Sequence, residues 1–423
     1  MFRYVAALAA ATSCVAIAHA QQVGTESRQI SGPLLTLDQA VALAGGSAPA
    51  ADAAAAEVDA ATAARRVAGL RPNPALAVEV ENFVGTGPYK GVNGADVTAS
   101  VAIPLELGGK RQARIAVADA ATHRARIEQA IAQADIRLQV TELYIQASAA
   151  EVRLAIAADQ FRIAGDTARA ATIRVQAGRA SPLEQERAEV ARLTAEAGVE
   201  KARRLVDAAR ANLARRIGRP VTGALDIAVL GGPASAAMGP PRPAMATGTL
   251  ALAAADANLG AADAGVRLAQ SQRVPDLTVG PGIRRLEATN DVAAVFSVSV
   301  PLPLFNNGRA AVDQANAERR RADAQRRVTA LDVEQQIGDA QVEAANAAAA
   351  ARVASGPALS AAMEAARIAR IGYREGKFGQ LELLDAERTL TDMRSASIEA
   401  LASYQLAKAR LERLTAPAPL EGN

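Results

Sequence analysis

Two acidic residues near the C-terminal end of the chain, Glu382 and Asp385, have the spacing most suited to chemistry. Residues three positions apart share one face of a helix, so a helix here would hold both carboxylates side by side. Carboxylates this close repel each other unless they are hydrated or bind a cation. The pair therefore indicates either a site that favours cations or, with equal weight, an ordinary solvated acidic face.

Other residue types that carry out chemistry are scarce. The chain has one cysteine, Cys14, and two histidines, His19 and His123. A lone histidine in a helical stretch is far more often a solvated residue than a metal ligand. The sequence has neither a G-x-S-x-G elbow nor a phosphate-binding loop. We therefore expect no catalytic residue, no metal site and no cofactor, and we do not expect an enzyme.

The first twenty residues have the pattern of an export signal. Arg3 precedes an apolar run over residues 4–17, and residues 18–20 (AHA) form a small-x-small cleavage site. The apolar run is too short to cross a bilayer comfortably, which disfavours an N-terminal membrane anchor. Lipidation at Cys14 is a minor alternative, because Ala11 stands where lipoprotein signals usually carry leucine. The pattern predicts that the mature chain leaves the cytoplasm.

The composition favours long helices over an ordinary globular core. Among 423 residues only 3% are aromatic and none is tryptophan, so few large side chains are present to anchor such a core. The 47 basic and 44 acidic residues nearly balance and are interleaved along helical stretches. The charge pattern therefore does not suggest a nucleic-acid partner.

The second half of the chain repeats the first at a nearly constant offset. The matched pairs are Gly178 with Gly376, Glu184 with Glu382, residues 71–78 with 273–279, residues 101–110 with 298–309, and residues 210–218 with 408–416. Two copies of one structural unit explain this pattern. The predicted organisation is an export signal (1–20), a first repeat (21–218), a linker rich in proline and glycine (219–246), a second repeat (247–416) and a C-terminal tail (417–423).

Each repeat contains two short segments in which apolar residues alternate with small or polar ones. Leu76, Val78 and Val80 share one face of the first segment. The other segments are residues 97–103, 294–300 and, more weakly, 277–283. A period of two predicts strands, and the turn-rich loops at 82–96 and 284–291 predict that each pair forms a hairpin.

Long helices are predicted on both sides of the strands. A first helix is expected at 37–69 in one repeat and at 249–272 in the other. Residues 109–177 contain no proline, and as one helix they would extend roughly 100 Å. Residues 310–372 form the matching helix, with a kink expected at Gly356 and Pro357. Helices of this length must protrude from any compact domain.

The two glycine breaks predict the far ends of two antiparallel helical hairpins. Gly178 and Gly376 permit the positive φ that commonly ends a helix. Ser181 provides an N-cap and Pro182 a first-turn proline for the first return helix. Each return helix runs for about thirty-five residues, so both hairpins point away from the strands.

The strands are too few to stand alone in lipid. A two-stranded hairpin is marginal even in water, and a membrane accepts only strands whose edges are all paired. Segments of this length with one apolar and one small, polar face suit a transmembrane barrel, although only four aromatic residues, Phe83, Tyr89, Phe296 and Phe305, lie near the expected interfaces. Four strands cannot close a barrel, so copies must associate. A dimer would give about eight strands and a trimer about twelve, and only the larger barrel leaves an open lumen.

This order of parts resembles the TolC-type outer-membrane factor family over nearly all of the mature chain. The segments LRPNPALAVEVE, PLELGGKR, VPDLTVG, PLPLFNNGR and YREGKFGQLELLDAERTL are most similar to its heavy-metal efflux (CzcC-like) branch. The resemblance implies a mainly α fold with a small β part, the TolC-like outer-membrane efflux fold. Long α-helical hairpins form a tunnel, and each chain adds four transmembrane β-strands to the 12-stranded barrel of a homotrimer.

The resemblance also implies a function and partners. Such a protein is a passive conduit in the outer membrane of a Gram-negative bacterium, in contact with outer-membrane lipid and extending into the periplasm. Its helical tips dock onto a periplasmic adaptor protein, which links it to an inner-membrane pump of the resistance-nodulation-division (RND) class. The matching tip residues are Gly178, Ser181, Pro182, Leu183, Tyr373, Gly376, Leu381 and Leu384. Each of them is also consistent with an ordinary turn.

Glu382 and Asp385 fall where relatives narrow the periplasmic entrance, so the resemblance implies a gate at these positions. Some relatives carry an arginine latch where this chain has Phe378, so the closing contacts must differ. The resemblance to the heavy-metal branch implies heavy-metal cations as the cargo, and the alternatives are drugs or proteins secreted by a type I system. A periplasmic coiled-coil scaffold is the alternative from another class.

Overall fold

The computed structural model describes residues 34–233 and 244–419, so the predicted export signal lies outside the described residues. The helices are α1 (Leu37–Gly45), α2 (Pro49–Ala68), α3 (Lys110–Gln176), α4 (Pro182–Ile217), α5 (Leu250–Gln272), α6 (Arg309–Val353), α7 (Leu359–Arg374) and α8 (Gln380–Leu414). The strands are β1 (Ala75–Glu81), β2 (Asp96–Leu105), β3 (Leu277–Leu286) and β4 (Asp291–Ser299). Among the described residues, no helix is both long and apolar enough to cross a membrane.

The four strands form one antiparallel sheet in the order β1-β2-β3-β4. Both predicted hairpins are present, and the inner strands β2 and β3 also pair with each other. The strands are slightly longer than predicted, so the second loop shrinks to residues 287–290, where Asn290 takes a positive φ of 56°. The sheet therefore joins the two repeats and leaves β1 and β4 as its edges.

The two faces of the sheet differ in chemistry, as the alternation predicted. The row Val78, Ala99, Ile283 and Ala294 crosses one face, and the row Glu79, Thr98, Arg284 and Ala293 crosses the other. On the polar face, Arg284 Nη2 lies 2.8 Å from Glu81 Oε2, and Arg284 Nε donates a 2.9 Å hydrogen bond to Thr98 Oγ1. A sheet with one apolar and one polar face suits lipid on one side and water on the other.

The helical hairpins have the predicted length. Helix α3 runs unbroken for 67 residues, roughly 100 Å, and α4 returns beside it for 36 residues. The second hairpin is interrupted by a π-turn at Ala354–Ala358, where Gly356 leaves helical geometry (φ −106°, ψ −106°) ahead of Pro357. The predicted kink is therefore confirmed, and the second hairpin consists of α6 and α7 followed by the return helix α8.

The first predicted helix, 37–69, is wrong as one element, because it divides into α1 and α2. Ala48 is extended (φ −81°, ψ 121°), as a residue before a proline prefers, and Pro49 opens α2. The hydroxyl of Ser47 donates to the carbonyl oxygens of Leu43 (2.9 Å) and Ile217 (2.8 Å), which fixes the break against α4. Gly45, Gly46 and Pro49 mark this break in the sequence, and tertiary contacts hold it in place.

The core lies at the middle of the helices, where non-helical segments wrap around them. Tyr144 of α3 is fully buried there. Its hydroxyl donates to Leu35 O (2.6 Å) and accepts from Asp226 N (2.7 Å). Burial raises the pKa of Tyr144 to about 12, so the phenol stays a donor. Leu225 and Leu230 are also buried, so part of the segment predicted as a linker packs as a belt around the helices. The division into two repeats stays our proposal.

Candidate functional site

The candidate site lies at the two hairpin tips, at the end of the molecule opposite the sheet. Gly178 and Gly376 both take positive φ, 69° and 71°, as predicted. After each glycine the chain folds back by the same hydrogen bonds: Arg179 N donates to Arg174 O and Lys377 N donates to Gly372 O, both at 2.8 Å. These six-to-one bonds are the Schellman ending of a helix, so both tips are built by the same backbone chemistry.

The return helices begin differently at the two tips. Ser181 caps α4, because its hydroxyl accepts a 3.2 Å hydrogen bond from Leu183 N, and Pro182 follows in the first turn. The residue before α8 is Gly379, which provides no side-chain cap. The Glu382 carboxylate lies against it, since a Cβ on Gly379 would be 2.8 Å from Glu382 Oε2. An acid in this first turn is favoured by the free amides of the helix start.

Both tips expose apolar side chains. Leu183 is 57% exposed and Leu381 is 66% exposed, while Leu384 and Tyr373 are half-buried. Phe378, at the position where some relatives carry an arginine, lies over Gly372, where an added Cβ would come within 2.1 Å of its ring. The tips therefore present apolar side chains among charged ones, since Arg179, Arg374 and Lys377 are also exposed there.

A network centred on Glu184 joins the two tips. Tyr373 Oη donates a 2.8 Å hydrogen bond to Glu184 Oε1, and Gln380 Nε2 donates one of equal length to Glu184 O. Arg174 Nη1 lies 3.5 Å from Glu184 Oε1, and its guanidinium carbon is 4.8 Å from the centre of the Tyr373 ring. Burial, and then the bond to Glu184, raise the pKa of Tyr373, so the phenol remains a donor.

Three residues of this network were not among the predicted site residues: Arg174, Glu184 and Gln380. A signal for Glu184 was present, because it is the repeat mate of Glu382. The other two became visible only with the contacts that the two tips make in the folded chain. Sequence reasoning had placed Tyr373 at the tip, but as a docking residue.

Ion pairs behind the tips bind the second return helix to its neighbours. Arg370 Nη2 lies 2.7 Å from Glu387 Oε2 within the second hairpin, and the bond raises the pKa of Arg370. Arg394 Nη1 lies 2.8 Å from Asp159 Oδ2 and joins α8 to α3. Hydrogen bonds from Arg162 and then from Arg394 lower the pKa of Asp159, so this carboxylate stays charged.

The two predicted gate acids stand apart from these networks. Glu382 and Asp385 are both exposed on α8, and neither forms an ion pair or hydrogen bond with another residue of the described ranges. Within those ranges, no three His, Cys, Asp or Glu side chains are placed to hold a metal ion. What the arrangement offers is a pair of free carboxylates next to a bonded contact between two helical hairpins.

Comparison with known proteins gives a family match over most of the chain. The model of the family described as "Outer membrane efflux protein" matches residues 41–219 and 247–416. The chain is 31% identical over 405 residues to the cobalt-zinc-cadmium resistance protein CzcC of Cupriavidus metallidurans, covering 92% of this chain and 91% of that protein. It is 32% identical over 302 residues to the nickel and cobalt resistance protein CnrC of the same organism, covering 69% of each.

The fold is shared with solved outer-membrane proteins. The crystal structure of the outer membrane protein VceC from Vibrio cholerae aligns with a TM-score of 0.71 at 20% sequence identity, covering 90% of this chain and 96% of that one. At this identity the likeness concerns the fold. The sheet, the helical hairpins and their order therefore recur in a protein of quite different sequence.

Proposed function

Since this chain belongs to the outer membrane efflux protein family, we propose that three copies form a passive channel that exports heavy-metal cations. The protein is an outer-membrane efflux channel and not an enzyme. The observation that carries the proposal is the joint architecture: a sheet with one apolar face continues into helical hairpins, and α3, the long helix of the first hairpin, extends roughly 100 Å. The sheet suits lipid, and the hairpins suit the aqueous periplasm.

The free edges of the sheet support the proposed trimer. Strands β1 and β4 each leave a row of backbone amides and carbonyls without a partner among residues 34–233 and 244–419. Lipid cannot satisfy these groups, so the sheet must close on itself through further copies. Three chains of four strands give twelve strands, enough for an open lumen that connects with a helical tunnel below.

The proposed cargo rests on the two curated relatives. Both are metal resistance proteins by name, one for cobalt, zinc and cadmium and one for nickel and cobalt. We therefore propose divalent metal cations as the exported substrate. We propose that the energy comes from an inner-membrane RND pump and that this chain is a passive conduit.

Deletion of the protein from its host tests the cargo. We expect reduced growth on zinc, cobalt, cadmium or nickel and unchanged growth on dyes and antibiotics, with growth on metal restored by the full chain. Sensitivity to drugs without sensitivity to metals would contradict the metal assignment and favour a drug channel.

The tips are proposed to dock the periplasmic adaptor protein. Gly178, Ser181, Pro182, Leu183, Tyr373, Gly376, Leu381 and Leu384 are the proposed docking residues. Leu183 and Leu381 are exposed apolar side chains in polar surroundings, a pattern typical of protein contacts. Leu183→Asp with Leu381→Asp should abolish co-purification of the adaptor, whereas Leu205→Asp, equally exposed but in the body of α4, should not. Equal co-purification of both variants would contradict the docking site.

Glu382 and Asp385 are proposed to form the periplasmic gate. Threefold symmetry would gather six carboxylates around one axis, where repulsion is relieved by water or by passing cations. Opening would be a rotation of the second hairpin that breaks the Glu184 network. Glu382→Ala with Asp385→Ala should raise the conductance in planar bilayers, whereas Glu399→Ala, an exposed acid farther along α8, should leave it unchanged. Unchanged conductance in the double variant would remove the acids from the gate.

A further inference from the structure

The two edges of the sheet share an unusual feature, which is exposed apolar residues next to unpaired backbone. Beyond β4, residues 300–305 (VPLPLF) leave Leu302 75% and Leu304 79% exposed. On the opposite edge, Leu76 of β1 is 75% exposed. Residues 300–303 do not pair with any strand in the part of the chain that the structure describes. Both edges therefore have backbone hydrogen-bonding groups without a partner among the described residues, and on the β4 side apolar residues continue past Ser299.

The chain itself contains a template for how such edges meet. Strands β2 and β3 join the first repeat to the second, and we call their pairing the internal seam. In the internal seam, Ile103 lies opposite Val279 and Leu105 lies opposite Leu277. The end of a first-repeat strand thus pairs with the beginning of a second-repeat strand. The junction between two copies must join the end of the second repeat to the beginning of the first.

We propose that β4 of one copy pairs with β1 of the next copy in the register of the internal seam. In the repeat, Val300 and Leu302 match Ile103 and Leu105, while Leu76 and Val78 match Leu277 and Val279. We call this pairing between two copies the outer seam. It places Leu302 opposite Leu76, Val300 opposite Val78 and Val298 opposite Val80. Residues 300–303 become a continuation of β4. This inference rests on the proposed trimer and gives it an interface at residue level.

The side chains fit this register. Val298, Val300 and Leu302 meet Val80, Val78 and Leu76, so the apolar face of the sheet continues across the seam. Pro301 falls opposite Ala77, and its repeat mate Pro104 already lies opposite Thr278 in the internal seam. Proline lacks a backbone donor and is confined in sheets to positions that do not need one. The internal seam shows that this position accepts proline.

The proposed register also closes a barrel of reasonable shape. Directly opposed residues on the four strands form a row across the sheet, which runs from Val80 through Val97 and Arg285 to Val292. The outer seam places Val298 opposite Val80 of the next copy, six residues beyond Val292. Three such steps give a stagger of about eighteen residues, and twelve strands with this stagger tilt by about 45°, at the upper end of the usual range.

The obvious alternative fails on the same geometry. Pairing Val292 with Val80 of the next copy would overlap β4 and β1 most fully. A row of opposed residues followed once around the barrel would then end at the residue where it began, and strands in a barrel without such a stagger cannot tilt. A similar offset is already present within the chain. The repeat mate of Val80 is Pro281, but the row that starts at Val80 reaches β3 at Arg285, four residues farther along. The outer seam continues this advance in the same direction.

Disulfide cross-linking in outer membranes tests the register. The only cysteine of the chain, Cys14, lies in the predicted export signal, so the parent is a suitable blank. Directly opposed strand residues have Cα atoms about 4.5–5.5 Å apart, within reach of a disulfide, whereas pairs shifted by two residues are about 8 Å apart. We expect Leu302→Cys with Leu76→Cys, and Val300→Cys with Val78→Cys, to yield covalent trimers on oxidation.

The controls separate the register from the assembly. Val300→Cys with Val80→Cys joins two residues that are two positions out of the proposed register, and this variant should form at least fivefold less covalent trimer. Ile103→Cys with Val279→Cys reports on oxidation at the internal seam within one chain. More cross-linking of the shifted pair, or none between copies while the protein migrates as a trimer and the internal pair oxidises, would overturn the outer seam. A protein that is monomeric in detergent would overturn the proposed channel as well.

Discussion

At the first hairpin tip, Glu184 accepts hydrogen bonds from Tyr373 and Gln380, whereas at the second tip its repeat mate Glu382 is exposed and unbonded. The first hairpin has an unbroken α3, while the second carries the π-turn at Ala354–Ala358. The first hairpin therefore combines an unbroken long helix with a hydrogen-bonded acid, Glu184. The second combines a kinked long helix with an unbonded acid, Glu382, and we infer that the second hairpin is the one that moves.

The largest expected effect comes from removing the acceptor that joins the tips. Glu184→Ala leaves the half-buried Tyr373 hydroxyl without its partner, which costs about 1–3 kcal/mol of coupling between the hairpins. This loss shifts the balance between closed and open states by about fivefold to about 150-fold, so single-channel records should show a higher open fraction. Glu186→Ala, an exposed acid two residues away, is the matched control. Equal open fractions in the two variants would show that the hydrogen bond to Glu184 does not couple the two hairpins.

Backbone substitutions at the two turns should have smaller and similar effects. Gly178→Ala and Gly376→Ala each force an alanine into positive φ, at a cost of about 1–2 kcal/mol. Hydrogen exchange should therefore accelerate locally at the altered tip in both variants. Gly338→Ala, in a regular part of α6, should slow exchange or leave it unchanged. If only one of the two turns responds, the tips are less alike in backbone than their hydrogen bonds indicate.

Exchanging the caps should narrow the difference between the tips. Ser181→Ala removes the cap of α4 and costs about 1 kcal/mol. Gly379→Ser supplies a hydroxyl at the start of α8 and should stabilise it by a few tenths of a kcal/mol, after the Glu382 carboxylate turns aside. Hydrogen exchange in the first turn of each return helix measures both changes. A loosened α8 in Gly379→Ser would show that Glu382 already caps the helix.

The smallest effect concerns pH. The raised pKa of Tyr373 means that its bond to Glu184 is fully present below pH 10 and is lost only as pH rises through the folded value. The lowered pKa of Asp159 means that its bond to Arg394 is present above pH 3.8 and is lost as pH falls through the folded value. The difference in conductance between the parent and Tyr373→Phe should therefore be constant between about pH 5 and about pH 9. A step in that difference within this range would contradict the assignment of Tyr373 as a neutral donor.

The sequence predicted most of the fold because its signals are local. The alternation in β1, β2 and β4, the absence of proline through α3, and the paired glycines at the tips each determine structure over a few residues. The division of 37–69 was missed although Gly45, Gly46 and Pro49 mark it locally. Only the contact of Ser47 with Ile217, which holds the break against α4, has no local signal. The pairing of β2 with β3 likewise joins residues far apart in the chain.

The site was predicted less completely than the fold. The repeat placed both tips and the acids Glu382 and Asp385 correctly on one helix, because spacing alone determines which face they share. It could not show that Tyr373 would reach Glu184, since that bond depends on how α7 packs against α4. The gate and docking roles depend on contacts between copies and partners, which lie beyond one chain.

The most direct test of the whole account is native mass spectrometry of the protein extracted from outer membranes in mild detergent. The account predicts three chains per particle, together with conductance of the same material in planar bilayers. A monomer that stays in solution without detergent would contradict it, because the free edges of β1 and β4 would then need no second copy.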